Sequence, residues 1–182
     1  EGDRRYAANA LAPGAAPLEP SYSALEPDKL RFNLQPLGPE ASGIDRRDEA
    51  TREMRRLVRD FFGREALHWF DRRSEPWRGF GSGANLHYGA FFGTSYDRDG
   101  LYNSKVYYET GPGQIDGLPM DLFGVVSTVL AVMPQLQPLF TTVAATRQMG
   151  GQRLTLAHPR PLRIADLQPL LNALGLSNRM PG

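Results

Sequence analysis

The chain has 182 residues, enough for one domain or a large part of one; 41% are apolar and 23% charged, which supports a packed core and excludes wholesale disorder. Twenty-one Lys and Arg against 20 Asp and Glu leave a net charge of +1, which argues against a general nucleic-acid binder or a polybasic membrane-surface protein. Cysteine is absent, so disulfides, thiolate nucleophiles and Cys-ligated metals are excluded.

Only Lys29 and Lys105 are lysines; the other 19 basic residues are arginines. With the heavy Ala, Gly and Pro usage, this fits a high-GC genome, so arginine says little by count and the two lysines say more. The opening shows no secretory-leader pattern. The most apolar run, Leu122 to Met133, is too short to span a bilayer. The expectation is a cytoplasmic protein with no membrane partner.

Residues 1–16 are rich in Ala, Gly and Pro and read as a flexible lead-in. The run Lys29-Leu30-Arg31-Phe32-Asn33-Leu34 alternates polar and apolar residues, which predicts a strand. Asp45 can cap a helix, with Asp48 and Glu49 in its first turn. Ala50, Met54, Leu57, Val58, Phe61 and Phe62 then recur at helical spacing, predicting one helix over roughly 46–71 whose arginines form a solvated face.

Gly79, Gly81 and Gly83 mark a loop. Residues 85–96 and 101–109 read as a hairpin around Asp97-Arg98-Asp99-Gly100. The simplest register sets Phe92 opposite Lys105 and Ala90 opposite Tyr107. Helical segments are expected at 121–133 and about 136–147, a short strand at 153–157 and a last helix at about 164–174, stopped by Gly175. Hairpins separated by helices favour an α+β plan with an antiparallel sheet.

Phosphate loops, dinucleotide fingerprints, H-E-x-x-H and G-x-S-x-G are missing. His68, His87 and His158 are too dispersed to suggest zinc. The informative feature is charge inside strands. If one face of each strand packs under helices, Arg31 and Lys105 share the other, and cations there want an anion. Tyr107, two residues from Lys105, adds a ring whose face stabilises a cation. The same pattern also fits ordinary exposed positions on a half-solvated sheet.

Pro17-Leu18-Glu19-Pro20-Ser21, followed by Leu30-Arg31-Phe32-Asn33-Leu34-Gln35-Pro36-Leu37-Gly38, resembles the opening of dimethylallyltryptophan-synthase-type aromatic prenyltransferases. Ser104-Lys105-Val106-Tyr107-Tyr108-Glu109 is similar to that family's K-x-Y strand, and Gln152-Arg153-Leu154-Thr155-Leu156 to a later basic strand. The resemblance implies an ABBA fold: an antiparallel β-barrel ringed by helices, here one domain over 17–182. Such a barrel has about twice the strands read here, so the resemblance also implies a fragment or truncated relative, completed by a missing C-terminal half or a partner chain.

The activity implied is transfer of a dimethylallyl-type group from its diphosphate to an electron-rich aromatic acceptor such as an indole, with no metal or other cofactor. Glu19 would take the acceptor's proton. Arg31, Lys105 and Arg153 would hold the diphosphate, and Tyr107 would shield the allylic cation. Three positions depart from the pattern: Thr155 and Ala157 stand where the later strand's R-x-K-x-Y pattern expects a lysine and a tyrosine, and Glu109 where a second shielding tyrosine is expected. The alternative is a non-catalytic α+β module whose basic sheet holds an anionic ligand or partner.

Overall fold

A computed structural model of the chain describes Leu11 and residues 17–79, 86–111 and 114–179. Nearly all of the expected lead-in, and Gly81 and Gly83 of the expected loop, lie outside the described residues. Strands β1 (Leu18–Ser23) and β2 (Glu26–Leu34) come first, then helices α1 (Gly43–Phe61) and α2 (Arg64–Arg78). Strands β3 (Ala90–Asp97) and β4 (Gly100–Glu109), helix α3 (Met120–Val132), strands β5 (Gln137–Thr146) and β6 (Gly150–Ala157) and a short helix α4 (Gln168–Ala173) follow. The six strands form one open antiparallel sheet in sequential order. The α+β class expected from the sequence is therefore present; the sheet is not closed into a barrel.

The chain divides into two compact units. The first holds residues up to Glu109 together with Thr141–Gln152, and the second Thr110–Phe140 and Arg153–Gly182. In the first, α1 lies against β3 and β4. Ala50, Met54 and Val58 are fully buried on its apolar stripe, as are Ala90, Val106 and Tyr108 of the sheet. The second unit places α3 against α4 and ties Thr110 N–H to the Leu139 carbonyl at 3.0 Å.

Several expectations are corrected. The single helix over 46–71 is two helices, because Gly63 takes φ 88° and breaks the run. Its cap is Ser42 rather than Asp45: Ser42 Oγ accepts from Asp45 N–H at 3.1 Å and the Asp45 carboxylate accepts from Ser42 N–H at 3.2 Å. The helix expected at 136–147 is strand β5, in which Thr141, Thr142 and Val143 are buried β-branched residues. The last helix, expected over 164–174, opens as a 3-10 turn at Ile164–Leu167 before α4.

The β3–β4 register differs from the expected one by one residue. Tyr96 faces Leu101, as the turn alone requires, but Ser95 faces Asn103. Tyr102 is the extra residue of a bulge, and beyond it every pair moves by one. Phe92 thus pairs with Val106 and Ala90 with Tyr108, while Lys105 pairs with Gly93. Because side chains alternate, this shift changes which residues share a face with Lys105.

Candidate functional site

The strand pairings of the first unit align one row across four strands. Glu19 pairs with Asn33, Asn33 with Gly93, and Gly93 with Lys105. Paired residues project to the same face, so Glu19, Asn33 and Lys105 share it. Arg31 and Tyr107 lie two residues along β2 and β4 and belong to that face too. Val106 and Tyr108 point the other way, toward α1, where the Tyr108 hydroxyl meets Thr51 Oγ1 at 2.9 Å.

Side-chain contacts connect the row. Asn33 Nδ2 donates to Glu19 Oε2 at 3.1 Å, and the Tyr107 hydroxyl donates to Asn33 Oδ1 at 3.3 Å. Asn33 therefore holds a carboxylate at one end and a phenol at the other. Lys105 lies across Gly93: a Cβ there would sit 2.8 Å from Lys105 Cε and 2.7 Å from Asn33 Oδ1. The glycine is what lets the lysine stem lie flat between two strands. The Lys105 ammonium is 5.1 Å from the centre of the Tyr107 ring, within cation–π range. Among the described residues it has no carboxylate partner.

Arg31 is differently placed. It pairs with Glu26 in the same strand, and Lys29 bonds that carboxylate at 2.6 Å while its ammonium lies 3.9 Å from the centre of the Tyr102 ring. The Lys29 hydrogen bond, more than the charges around it, holds the Glu26 carboxyl below its ordinary value, and the same bond raises Lys29. Both cations of β2 are thus compensated by one acid, which leaves Lys105, among the described residues of β1 to β4, as the cation of this face without one.

Arg153 belongs to β6 in the second unit, where it is exposed. Glu109 has a structural role. Its carboxylate accepts the backbone N–H groups of His87, Tyr88 and Gly89 at 3.1, 2.7 and 2.7 Å, pinning the approach to β3. Sequence reasoning missed Glu26, Gly93 and Tyr102 as parts of this face, and it put Asn33 on the Arg31 face of β2 without naming it as a site residue. The alternation with Arg31 was the signal for Asn33; Gly93 and Tyr102 depend on the bulge and carry no local signal.

Among the described residues, no group of three or more His, Asp or Glu is placed to hold a metal ion. No described helix is long and apolar enough to cross a membrane. Comparison with family models, with curated proteins and with solved structures found no match to this chain.

Proposed function

We propose that the polar face of the first unit's sheet binds an allylic diphosphate beside an electron-rich aromatic ring and joins the two, as a metal-independent aromatic prenyltransferase. The observation that carries this reading is Lys105. It is a half-buried ammonium without a carboxylate partner among the described residues, laid over Gly93 beside the Tyr107 ring, in one register row with Glu19. The sequence resemblance supplies the substrate class, and three hairpins in sequential order with helices between them suit a run of such repeats.

The chemistry follows from these groups. The donor's carbon–oxygen bond breaks and its electron pair leaves with the diphosphate, where the Lys105 ammonium stabilises the growing negative charge. The allylic carbon becomes cationic, and a tyrosine face such as that of Tyr107 stabilises it. An acceptor ring carbon forms the new bond, and the proton it sheds goes to a carboxylate, for which Glu19 is placed on the same face. Asn33 orients that carboxylate. Closing this face from water would take strands beyond the six described, from a partner chain or from more of this one.

The test is product formation from dimethylallyl diphosphate and a panel of indoles and phenols, with chelator present. The expected result is a prenylated product that wild type forms and Glu19→Gln and Lys105→Ala do not. Donor binding through Lys105 with no transfer to any acceptor would instead favour a non-catalytic anion-binding sheet. No binding and no transfer would refute both readings.

A further inference from the structure

A second concentration of cations lies on the helical side of the first unit. Helix α1 carries Arg52, Arg55, Arg56 and Arg59, a spacing that puts all four on one side of the helix. With Arg78 of α2 they line a cleft of about 470 Å³ that also includes Thr51 and Leu67. That volume lies in the range of small-molecule sites.

The arginines are held from behind by acids. Arg55 grips Asp71 with Nε and Nη2, at 2.8 and 3.1 Å, and Arg78 donates to the Asp71 carbonyl at 2.9 Å. Arg52 pairs with Glu49, Arg56 with Glu53 and Arg59 with Asp60. Asp48, the acid that lines the cleft, is taken by Arg47 at 3.0 Å. Five guanidiniums thus face four carboxylates. A guanidinium has about five N–H donors and a carboxylate engages about two of them, so the cleft keeps surplus donors in fixed forks.

The floor of the cleft is built as well. Thr51 is 7% exposed, and its Oγ1 donates to the Arg47 carbonyl at 2.8 Å. The fully buried Tyr108 hydroxyl meets the same oxygen. Arg78 Nε is buried with no hydrogen-bond partner among the described atoms.

We propose that this cleft is a binding site for an oligophosphate group, either free or as the phosphate end of a nucleotide. Planar guanidinium forks match phosphate oxygens two at a time, which a lysine ammonium does not, and every cation lining the cleft is an arginine. Leu67 offers the one apolar wall for an organic remainder. The site is independent of the sheet face: α1 covers the side of the sheet opposite Lys105.

Calorimetry with tripolyphosphate at physiological salt tests this, using wild type, the double variant Arg52→Gln/Arg59→Gln, and Lys105→Ala. Arg52 and Arg59 are exposed, at 72% and 59% of their side chains, so the double variant retains the fold, which circular dichroism verifies. The expected result is a saturable binding component that is weakened about tenfold or more by the double variant and retained in Lys105→Ala. ATP binding more tightly than tripolyphosphate would assign a nucleotide as the source of the phosphates; equal affinity would assign a free oligophosphate. No saturable binding, or binding unaffected by the double variant, would overturn the proposal. Binding lost in Lys105→Ala would overturn it too, by moving the anion to the sheet face.

Discussion

Replacing Tyr108 by Phe removes a buried hydroxyl whose consequences reverse with pH. Burial, the largest cause, pushes this phenol up to about 12 from an ordinary 10.0. Thr51 gives its own proton to the Arg47 carbonyl, so Tyr108 is the donor between the two hydroxyls. Near neutrality Tyr108→Phe therefore loses one buried hydrogen bond, a cost of about 0.5–1.5 kcal/mol.

At alkaline pH the sign changes. A group whose folded pKa is raised contributes stability that is complete below its unfolded pKa and is lost as pH rises to the folded one. Between pH 10 and about 12 the unfolded phenol ionises while the folded one stays protonated. The protein loses about 1.4 kcal/mol per pH unit over that window, about 2–3 kcal/mol in all. Urea unfolding followed by circular dichroism, at about pH 9 and about pH 11, measures both effects; other titrating groups cancel between wild type and variant. Wild type should be the more stable at the lower pH, and the gap should close or reverse at the higher. Parallel pH dependence in the two proteins would refute the placement of Tyr108 as a buried, neutral donor.

Gly93→Ala puts a methyl group 2.7 Å from Asn33 Oδ1 and 2.8 Å from Lys105 Cε. Asn33 is held at both ends, so the lysine stem gives way. Stability should fall by about 1 kcal/mol, while affinity for a diphosphate donor mimic drops about tenfold; unchanged affinity would remove Lys105 placement from the argument. Ser42→Ala deletes the side-chain half of the α1 capping box and should cost about 1 kcal/mol in urea unfolding. Ser42 also holds the Asp45 carboxyl below its ordinary 3.8, so wild type keeps this stability above that pH and loses it as pH falls through the lower folded value. The variant should show correspondingly less acid sensitivity.

What was legible in the sequence follows the strength of local periodicity. The alternation of Lys29 to Leu34 and of Lys105 to Glu109 put Arg31, Lys105 and Tyr107 on the correct faces before any pairing was known. The apolar stripe of α1 was equally plain. It ran on through Trp69 and Phe70 in helical phase, so only Gly63 marked the break, and a lone glycine is a weak signal. Strand β5 reads as a helix because Leu136, Leu139, Phe140 and Val143 recur at helical spacing. Its place in the sheet beside β4 overrides that local pattern.

Prolines crowd the sequence around β1 and hide its strand pattern, yet Pro20 sits in an edge strand, where proline is tolerated. The alignment of Glu19 with Asn33 could not be read from either segment, since it exists only once β1 pairs with β2. The bulge at Tyr102 is likewise a property of the paired strands. That bulge sets Lys105 opposite Gly93 and so determines the geometry on which the proposed activity depends.

The most direct test is calorimetric binding of dimethylallyl thiolodiphosphate, an unreactive donor mimic, without magnesium and with the arginine cleft disabled by Arg52→Gln/Arg59→Gln, to the otherwise wild-type protein and to its Lys105→Ala form. The account expects micromolar binding by the form that keeps Lys105, abolished by the Lys105→Ala substitution, which would establish a metal-free diphosphate site on the Lys105 strand. Binding that survives in Lys105→Ala, or no binding by the folded form that keeps Lys105, would contradict it.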